Sequence, residues 1–481
     1  MYLGIDLGTS GVKALLIDGE GKAVGSASAP LTVSRPHPGW SEQEPADWMV
    51  AAFAAVDTLK HGHARELAAV KGIGLSGQMH GATLIDEADE PLRPAILWND
   101  TRAHAQAAKL DADPRFREIS GNIVFPGFTA PKLLWVRANE RRRFERTAKV
   151  LLPKDYLRLW LTGEHVSDMS DASGTSWLDV GARSWSEELL EASDMRLDQM
   201  PALVEGSEVS GELRTELLAR WGMTGPVVVA GGGGDNAASA IGTGTISAGQ
   251  AFVSLGTSGV LFAANESYLP NPESAVHAFC HALPGRWHQM GVILSAAAAL
   301  NWYAMIADST PADLMAELGD QLEAPGRATF LPYLSGERTP HNDADIRAAF
   351  IGLSHEDDRA SLTRAVIDGV AFALRDCQEA LRAAGTELSS VMAVGGGSRA
   401  HLWLSAIATV LGLPVEVPEQ GETGAALGAA RLGLLAATGA DPMDVCRPPK
   451  VHRVVEPVAN LRRSYEEAYA RYGALYRALK V

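Results

Sequence analysis

The sequence predicts an α/β fold of two related domains, residues 1–244 and 245–481, flanking a cleft. Three observations predict it. The chain has 481 residues, more than one ordinary compact core accommodates. Short β-branched runs alternate with helical stretches along its length. Finally, Leu7-Gly-Thr-Ser-Gly-Val12 recurs, identical, as Leu255-Gly-Thr-Ser-Gly-Val260, each copy at a strand–turn–strand pattern. A recurrence at that separation is not a solenoid period. It reads as two domains that open with the same hairpin, with a boundary near Gly244.

The elements follow in order. Residues 3–5 and 14–17 read as strands around a turn at 8–11, and 24–28 as a third strand. Helical material is expected at 45–59, a strand at 70–75, and helices at 115–120, 131–139 and 153–161. A β-branched run at 227–230 ends in Gly231-Gly-Gly-Gly234, and a helix starts at Asp235. In the second half the pattern gives a strand at 251–254 and helices at 292–306 and 359–384. A strand at 391–394 and helices at 399–411 and 423–438 follow.

Composition narrows the function. Hydrophobic residues make up 46% and charged residues 21%, as in soluble globular enzymes. A formal net charge of −16 repels nucleic acid and anionic membranes at long range, so neither is an expected partner. A phosphate ligand remains possible, because backbone N–H groups can hold it locally. Cys280, Cys377 and Cys446 lack the pairing of a disulfide framework and read as buried thiols of a reducing compartment. The opening MYLGIDLGTS is no signal peptide, and the apolar stretch 291–307 is short for a membrane span and reads as a buried helix. A cytoplasmic protein is expected. Oligomeric state is left open, a homodimer included.

Candidate chemistry starts at Asp6-Leu-Gly-Thr-Ser-Gly-Val-Lys13. Glycines let the backbone approach a ligand, and exposed N–H groups with the Thr9 and Ser10 hydroxyls can wrap phosphate oxygens. Lys13 adds a mobile positive charge. Asp6 adds a carboxylate that could hold a phosphate-bound Mg²⁺, directly or through water. One such turn is weak evidence, since most are only hairpins. Two copies could grip a triphosphate from opposite walls, with Gly256, Thr257 and Ser258 in the second. There Ser254 replaces Asp6.

Asp235 and Asn236 follow the four glycines at a helix start. The acid is either a helix cap or a general base for an attacking hydroxyl, and the motif alone does not separate the two. Gly395-Gly-Gly-Ser398 repeats the strand–glycine–helix logic, as a site for a flat ring or ribose or merely as a tight turn. Gln78-Met-His80 and Trp98-Asn-Asp100 each follow a strand, where α/β sites usually lie, and suit a polyhydroxylated ligand. The bland alternatives are a structural His80 and a core Trp98. His277, Cys280, His281 and His288 superficially resemble metal ligands, but no second cluster completes a tetrahedral set, and they read as strand and loop residues. Glu337 and Arg338 form a structural ion pair or line the cleft.

Together the Asp6–Lys13, Leu255–Val260 and Gly395–Gly397 turns resemble the actin, Hsp70 and sugar-kinase superfamily, which implies actin-like, ribonuclease H-like ATPase domains. Within it the chain resembles the FGGY family of carbohydrate kinases. Thr129-Ala-Pro-Lys-Leu-Leu-Trp135 is similar to that family's first signature. Phe350-Ile-Gly-Leu353 with Leu362 to Gly369 is similar to its second, with Ser361 where His or an acid is more usual. Gln78 to Gly81, Trp98 to Asp100, Leu152-Pro-Lys-Asp-Tyr156 and His37 to Gln43 resemble the xylulokinase branch. The resemblance implies ATP and Mg²⁺, with phosphate going to the 5-hydroxyl of D-xylulose. A kinase for a related ketose or polyol, such as ribulose or an alditol, is the alternative. By motif match it makes Asp235 the base, with Asp6 near the metal and reacting phosphate. Gln78, Met79, His80, Trp98, Asn99, Asp100 and Asn236 are placed at the sugar. Thr9, Ser10 and Lys13, with Gly256, Thr257 and Ser258, face the phosphates, and Gly395, Gly396, Gly397 and Ser398 lie near the adenosine.

Overall fold

The computed structural model describes residues 1–480 apart from 420 and 422. Its first sheet runs Val209–Glu212, Val228–Ala230, Gly72–Gly77, Tyr2–Leu7, Gly11–Ile17, Ala23–Pro30, with the short strand Gly233–Gly234 also on Gly72–Gly77. The three central strands are parallel, and hairpin partners extend them on one side. Alternation sorts the side chains to two faces. Leu3, Ile5 and Leu7 share a core with Trp48, Val56 and Leu59 of the helix Pro45–Ala68. Proline at the start of that helix and Asp47 in its first turn suit a helix N-terminus.

The opposite face carries glycines among larger side chains. Tyr2, Leu15 and Ile17 pack there on Ala426, Leu427 and Leu434 of the helix Ala425–Thr438, which comes from the C-terminal half of the chain. Gly4, Gly72 and Gly74 let it come down on the sheet backbone. A Cβ added at Gly74 would lie 1.7 Å from the Ala429 carbonyl oxygen. The same helix meets the helix Asp235–Thr243 equally closely: a Cβ on Gly428 would lie 1.7 Å from the Ala238 carbonyl oxygen.

The second sheet runs His277–Cys280, Trp287–Ile293, Gly259–Asn265, Ala251–Leu255, Val391–Val394, Val415–Pro418, Val451–Val455. One face carries Val253, Leu255, Leu261 and Val391 into a core with the helices Arg359–Ala383, His401–Leu411 and Arg462–Leu479. The other face brings Phe252, Phe262, Phe279 and Met392 against Met79, Phe128 and Ala240 of the first half. The three cysteines are buried and unpaired.

Two expectations are corrected. Residues 292–293 end the strand Trp287–Ile293 rather than beginning a helix, which runs Ala297–Ile306. Val292 and Ile293 pair with Val260 and Gly259, so sheet registry overrides an apolar run that periodicity cannot assign. Gly396–Arg399 is a 3₁₀ turn, and the α-helix proper is His401–Leu411. Among the described residues no helix is long and apolar enough to cross a membrane.

Candidate active site

The parallel strands Tyr2–Leu7, Gly72–Gly77 and Gly233–Gly234 end side by side. Asp6 pairs with Ser76, and Ser76 with Gly233. Asp235 lies two residues beyond Gly233, at the first position of its helix. Gly234 occupies the cap position, so Asp235 is not the N-cap. Its Oδ1 accepts from the Asn236 backbone N–H (2.7 Å) and side-chain amide (3.0 Å). Burial above all, then the charge of Asp6, pushes the Asp235 carboxyl up to about 6, against those hydrogen bonds. Burial likewise raises Asp6, with Ser76 and Lys13 opposing. Asp6 Oδ1 is buried and accepts no hydrogen bond among the described residues.

The turn after Leu7 is tied down by a closed ring. Thr9 Oγ1–H donates to Gln78 Oε1 (3.1 Å), Gln78 Nε2 to Gln43 Oε1 (2.9 Å), and Gln43 Nε2 to the Thr9 carbonyl (2.8 Å). Trp98, 44% exposed, donates from Nε1 to the Thr9 hydroxyl (3.0 Å). Gln78 is therefore buried and spent on holding the hairpin. Gln43 is a hub that sequence reasoning missed; its only signal was its place in the His37–Gln43 stretch. Ser10 and Asn99 are exposed.

Asp100 is 1% exposed. It accepts from the Ser41 N–H (2.6 Å) and forms a buried ion pair with Arg102 (2.6 Å). Arg102 in turn pairs with Glu42 at 2.7 Å and stacks over Trp40. The structure thus commits Asp100 to a loop anchor rather than turning it to the cleft.

His80 has φ of 67°, an uncommon backbone for a non-glycine residue. Its ring stacks on Phe128 at 4.5 Å, and Nδ1 lies 2.8 Å from the Gly174 carbonyl. Burial holds the imidazole neutral, with its pKa down at about 3. A carbonyl only accepts, so Nδ1 carries the proton and Nε2 is left as an acceptor. Met79 packs under Gly234, where a Cβ would lie 2.7 Å from Met79 Cγ.

On the facing domain, the carbonyls of Gly256 and Thr257 accept from the N–H groups of Ala297 and Ala296 (both 2.9 Å), coupling the second hairpin to a helix start. The turn at Gly395, with φ of 87°, is closed by Ser398 Oγ–H donating to the Gly395 carbonyl (2.7 Å). It packs on Leu255. A cavity of about 610 Å³ opens here, lined by Gly256, Thr257, Gly396, Gly397, Leu300 and Met315, with Asn301 and Trp403 in its wall. Its apolar walls and few polar groups suit a flat base. Of these residues the sequence pointed to Gly256, Thr257, Gly396 and Gly397, not to the helix residues that complete the walls.

Of the four residues resembling metal ligands, the three histidines sit in an aromatic cluster, and Cys280 packs apart from them beside Leu178 and Val180. His288 stacks on Phe262 at 4.5 Å and His277 on Phe279 at 5.4 Å, and burial pushes their pKa values well down. Arg338 donates to His277 (3.2 Å) and lies over Phe125. Glu337 accepts from the Leu294 and Arg338 N–H groups, and burial pushes its pKa up to about 8.

Comparison with known proteins shows the family. Residues 1–242 match the N-terminal domain of the FGGY family of carbohydrate kinases, and residues 251–437 match its C-terminal domain. The xylulose kinase of Klebsiella pneumoniae is 52% identical over 445 residues, covering 91% of this chain and 90% of that protein. The crystal structure described as a xyloylose kinase from Brucella ovis superposes with a TM-score of 0.99 at 65% identity, over 99% of each chain. A gluconate kinase from Lactobacillus acidophilus gives a TM-score of 0.93 at 25% identity, over 99% of this chain and 97% of that one. The shared fold therefore does not choose the sugar. With both domain families matched in order along most of its length, the chain belongs to the FGGY family of carbohydrate kinases.

Proposed function

We propose that this kinase transfers the γ-phosphoryl group of ATP to the 5-hydroxyl of D-xylulose, giving D-xylulose 5-phosphate. The observation that carries the reading is the pair Asp6 and Asp235. They stand at the ends of the two strands that flank Gly72–Gly77, close enough for one charge to raise the pKa of the other. Its support in sequence is the likeness to xylulose kinases at 52% identity.

The transition state of phosphoryl transfer is loose, so alignment and charge matter more than early deprotonation. Asp235 orients the sugar hydroxyl at the γ-phosphorus and takes its proton late. A pKa of about 6 leaves it ionised at neutral pH. His80 Nε2 accepts from a sugar hydroxyl, Met79 and Trp98 pack on the carbon chain, and Asn99 and Asn236 supply amide partners. Gln78 and Asp100 hold these groups from behind. Ser10, Lys13, Thr257 and Ser258 face the phosphates, with Gly256 giving close backbone approach. Gly395 to Ser398 and the neighbouring cavity take the adenosine. Residues 1–244 thus carry sugar and base, and residues 245–481 the adenosine.

A Mg²⁺ ion fits beside Asp6, whose buried Oδ1 lacks a donor. Bound there, directly or through water, it would offset negative charge on the phosphates.

Two measurements test the reading. ADP release across D-xylulose, ribulose, gluconate, alditols and a no-sugar control should be highest in kcat/KM with D-xylulose; a higher value with another sugar moves the assignment to it. Asp235→Ala should lower sugar-dependent turnover by roughly 10² to 10⁴ while nucleotide still binds. Near-normal turnover would hand the base role to another group.

A further inference from the structure

The segment that carries Asp235 is four consecutive glycines, and packing demands them. A Cβ on Gly231 would lie 2.2 Å from the Glu205 carbonyl oxygen, and one on Gly232 2.3 Å from that of Leu75. Such a run has no side chains to lock it and loses the most conformational freedom on ordering. Only Gly233 and Gly234 join the sheet. A base that must be aimed within fractions of an ångström therefore needs its backbone held by other means.

Bonds from the Gly231 and Gly232 N–H groups to the Glu208 and Gly206 carbonyls (2.8 and 2.9 Å) hold its middle, and two fully buried side chains hold its ends. At one end, the Arg158 guanidinium donates to the Ala230 carbonyl (2.6 Å) and to the Gly231 carbonyl. At the other, Ser170 Oγ accepts from the Gly234 N–H (3.2 Å), immediately before Asp235. Ser170 is itself fixed by donating to Asp168 Oδ2. Behind them Lys154, fully buried, bridges Asp155, Asp168 (2.9 Å) and Asp171 (3.5 Å), and Arg158 lies 3.5 Å from Asp155. Burial pushes the Asp171 carboxyl well above the usual carboxylate range.

We propose that Arg158 and Ser170 are positioning residues for Asp235, gripping the two ends of the glycine run so that its carboxylate meets the sugar hydroxyl in line. This rests on Asp235 as the base. Neither residue touches the reacting atoms; each acts through the backbone.

A double-mutant cycle separates this role from plain structural support. Ser170→Ala should lower kcat roughly 10- to 100-fold, with KM for D-xylulose and for ATP each within about threefold, since misplacement spoils alignment more than binding. In single-turnover assays, Ser170→Ala should then have no further effect in an Asp235→Asn background, because there is no base left to misplace. Should Ser170→Ala not fold, Arg158→Lys, which keeps the charge but not the two-carbonyl grip, enters the same cycle. An unchanged kcat per active site, or an equal loss with and without the Asp235 carboxylate, overturns the proposal. Near-normal activity of Asp235→Asn alone would instead overturn the base assignment.

Discussion

The same six residues make two different hairpins. In the first, Leu7 pairs with Val12 across a four-residue turn; in the second, Leu255 pairs with Gly259 across three. Both hairpins start equivalent sheets, in which an antiparallel partner and two parallel neighbours flank the opening strand in the same order. The one-residue slip changes which side chain stands opposite the key position. Asp6 faces Lys13, whereas Ser254 faces Val260. Val260 packs among the rings between the halves, and Val12 is buried under the first helix. Tertiary partners accompany the difference. The Gln78–Gln43 ring holds Thr9 in one copy, and a helix start holds Gly256 and Thr257 in the other. At the helix that follows each parallel set, one half begins with Asp235 and the other with Ala425. A duplicated scaffold thus carries the same turn twice, while Asp6 and Asp235 both lie in its first half.

That asymmetry breaks most directly at Asp6. Asp6→Ser gives the first hairpin the side chain of the second. We expect kcat to fall by roughly 10² to 10³, as when one preorganised electrostatic group is lost from an active site. Adding Ser254→Asp should not restore it, because the carboxylate would stand on the wrong wall opposite Val260. Recovery of activity in the double variant would show the two walls to be interchangeable. A smaller effect is expected from Gln43→Leu, which opens the ring on Thr9 and leaves the Gln78 amide and the Trp48 indole N–H without their shared acceptor. KM for ATP should rise roughly tenfold, the weight of one hydrogen bond lost from the Thr9 turn. KM for the sugar should rise less. Equal increases in the two would mean that the ring serves the whole cleft rather than the first phosphate turn.

The duplicated hairpins, the strand at 391–394 and the helix after Asp235 were legible because each combines local periodicity with turn chemistry. The register difference was not legible, since identical residues cannot encode it. The helix expected from 292 failed because its first residues are drawn into the sheet beside Gly259. Among site residues, His80 and Asp235 could be singled out by type and place at strand ends. The commitment of Asp100 to Arg102 could not, because it depends on Trp40, Glu42 and Trp135 closing around that pair. Nor could Arg158 and Ser170, which lie in the helix Pro153–Thr162 and the short helix Met169–Ala172 with nothing local to mark them. The apolar cavity beside Gly396 is assembled from helices whose residues read individually as core.

The mildest test of the comparison is pH, because only the first half carries a carboxylate at the helix start. A base works ionised, and Asp235 is raised to about 6 by burial and by Asp6. Its active form is therefore present above that pH and lost as pH falls through it. kcat/KM, which follows the free enzyme, should be about half its plateau value at pH 6 and fall about tenfold per unit below. In Asp6→Asn the neighbouring negative charge is gone, so the limb of the residual activity should move to lower pH. A wild-type limb near the ordinary aspartate value would put Asp235 in open water. A limb unmoved by Asp6→Asn would uncouple the two acids, leaving burial alone to set the base apart from its silent counterpart, Ala425.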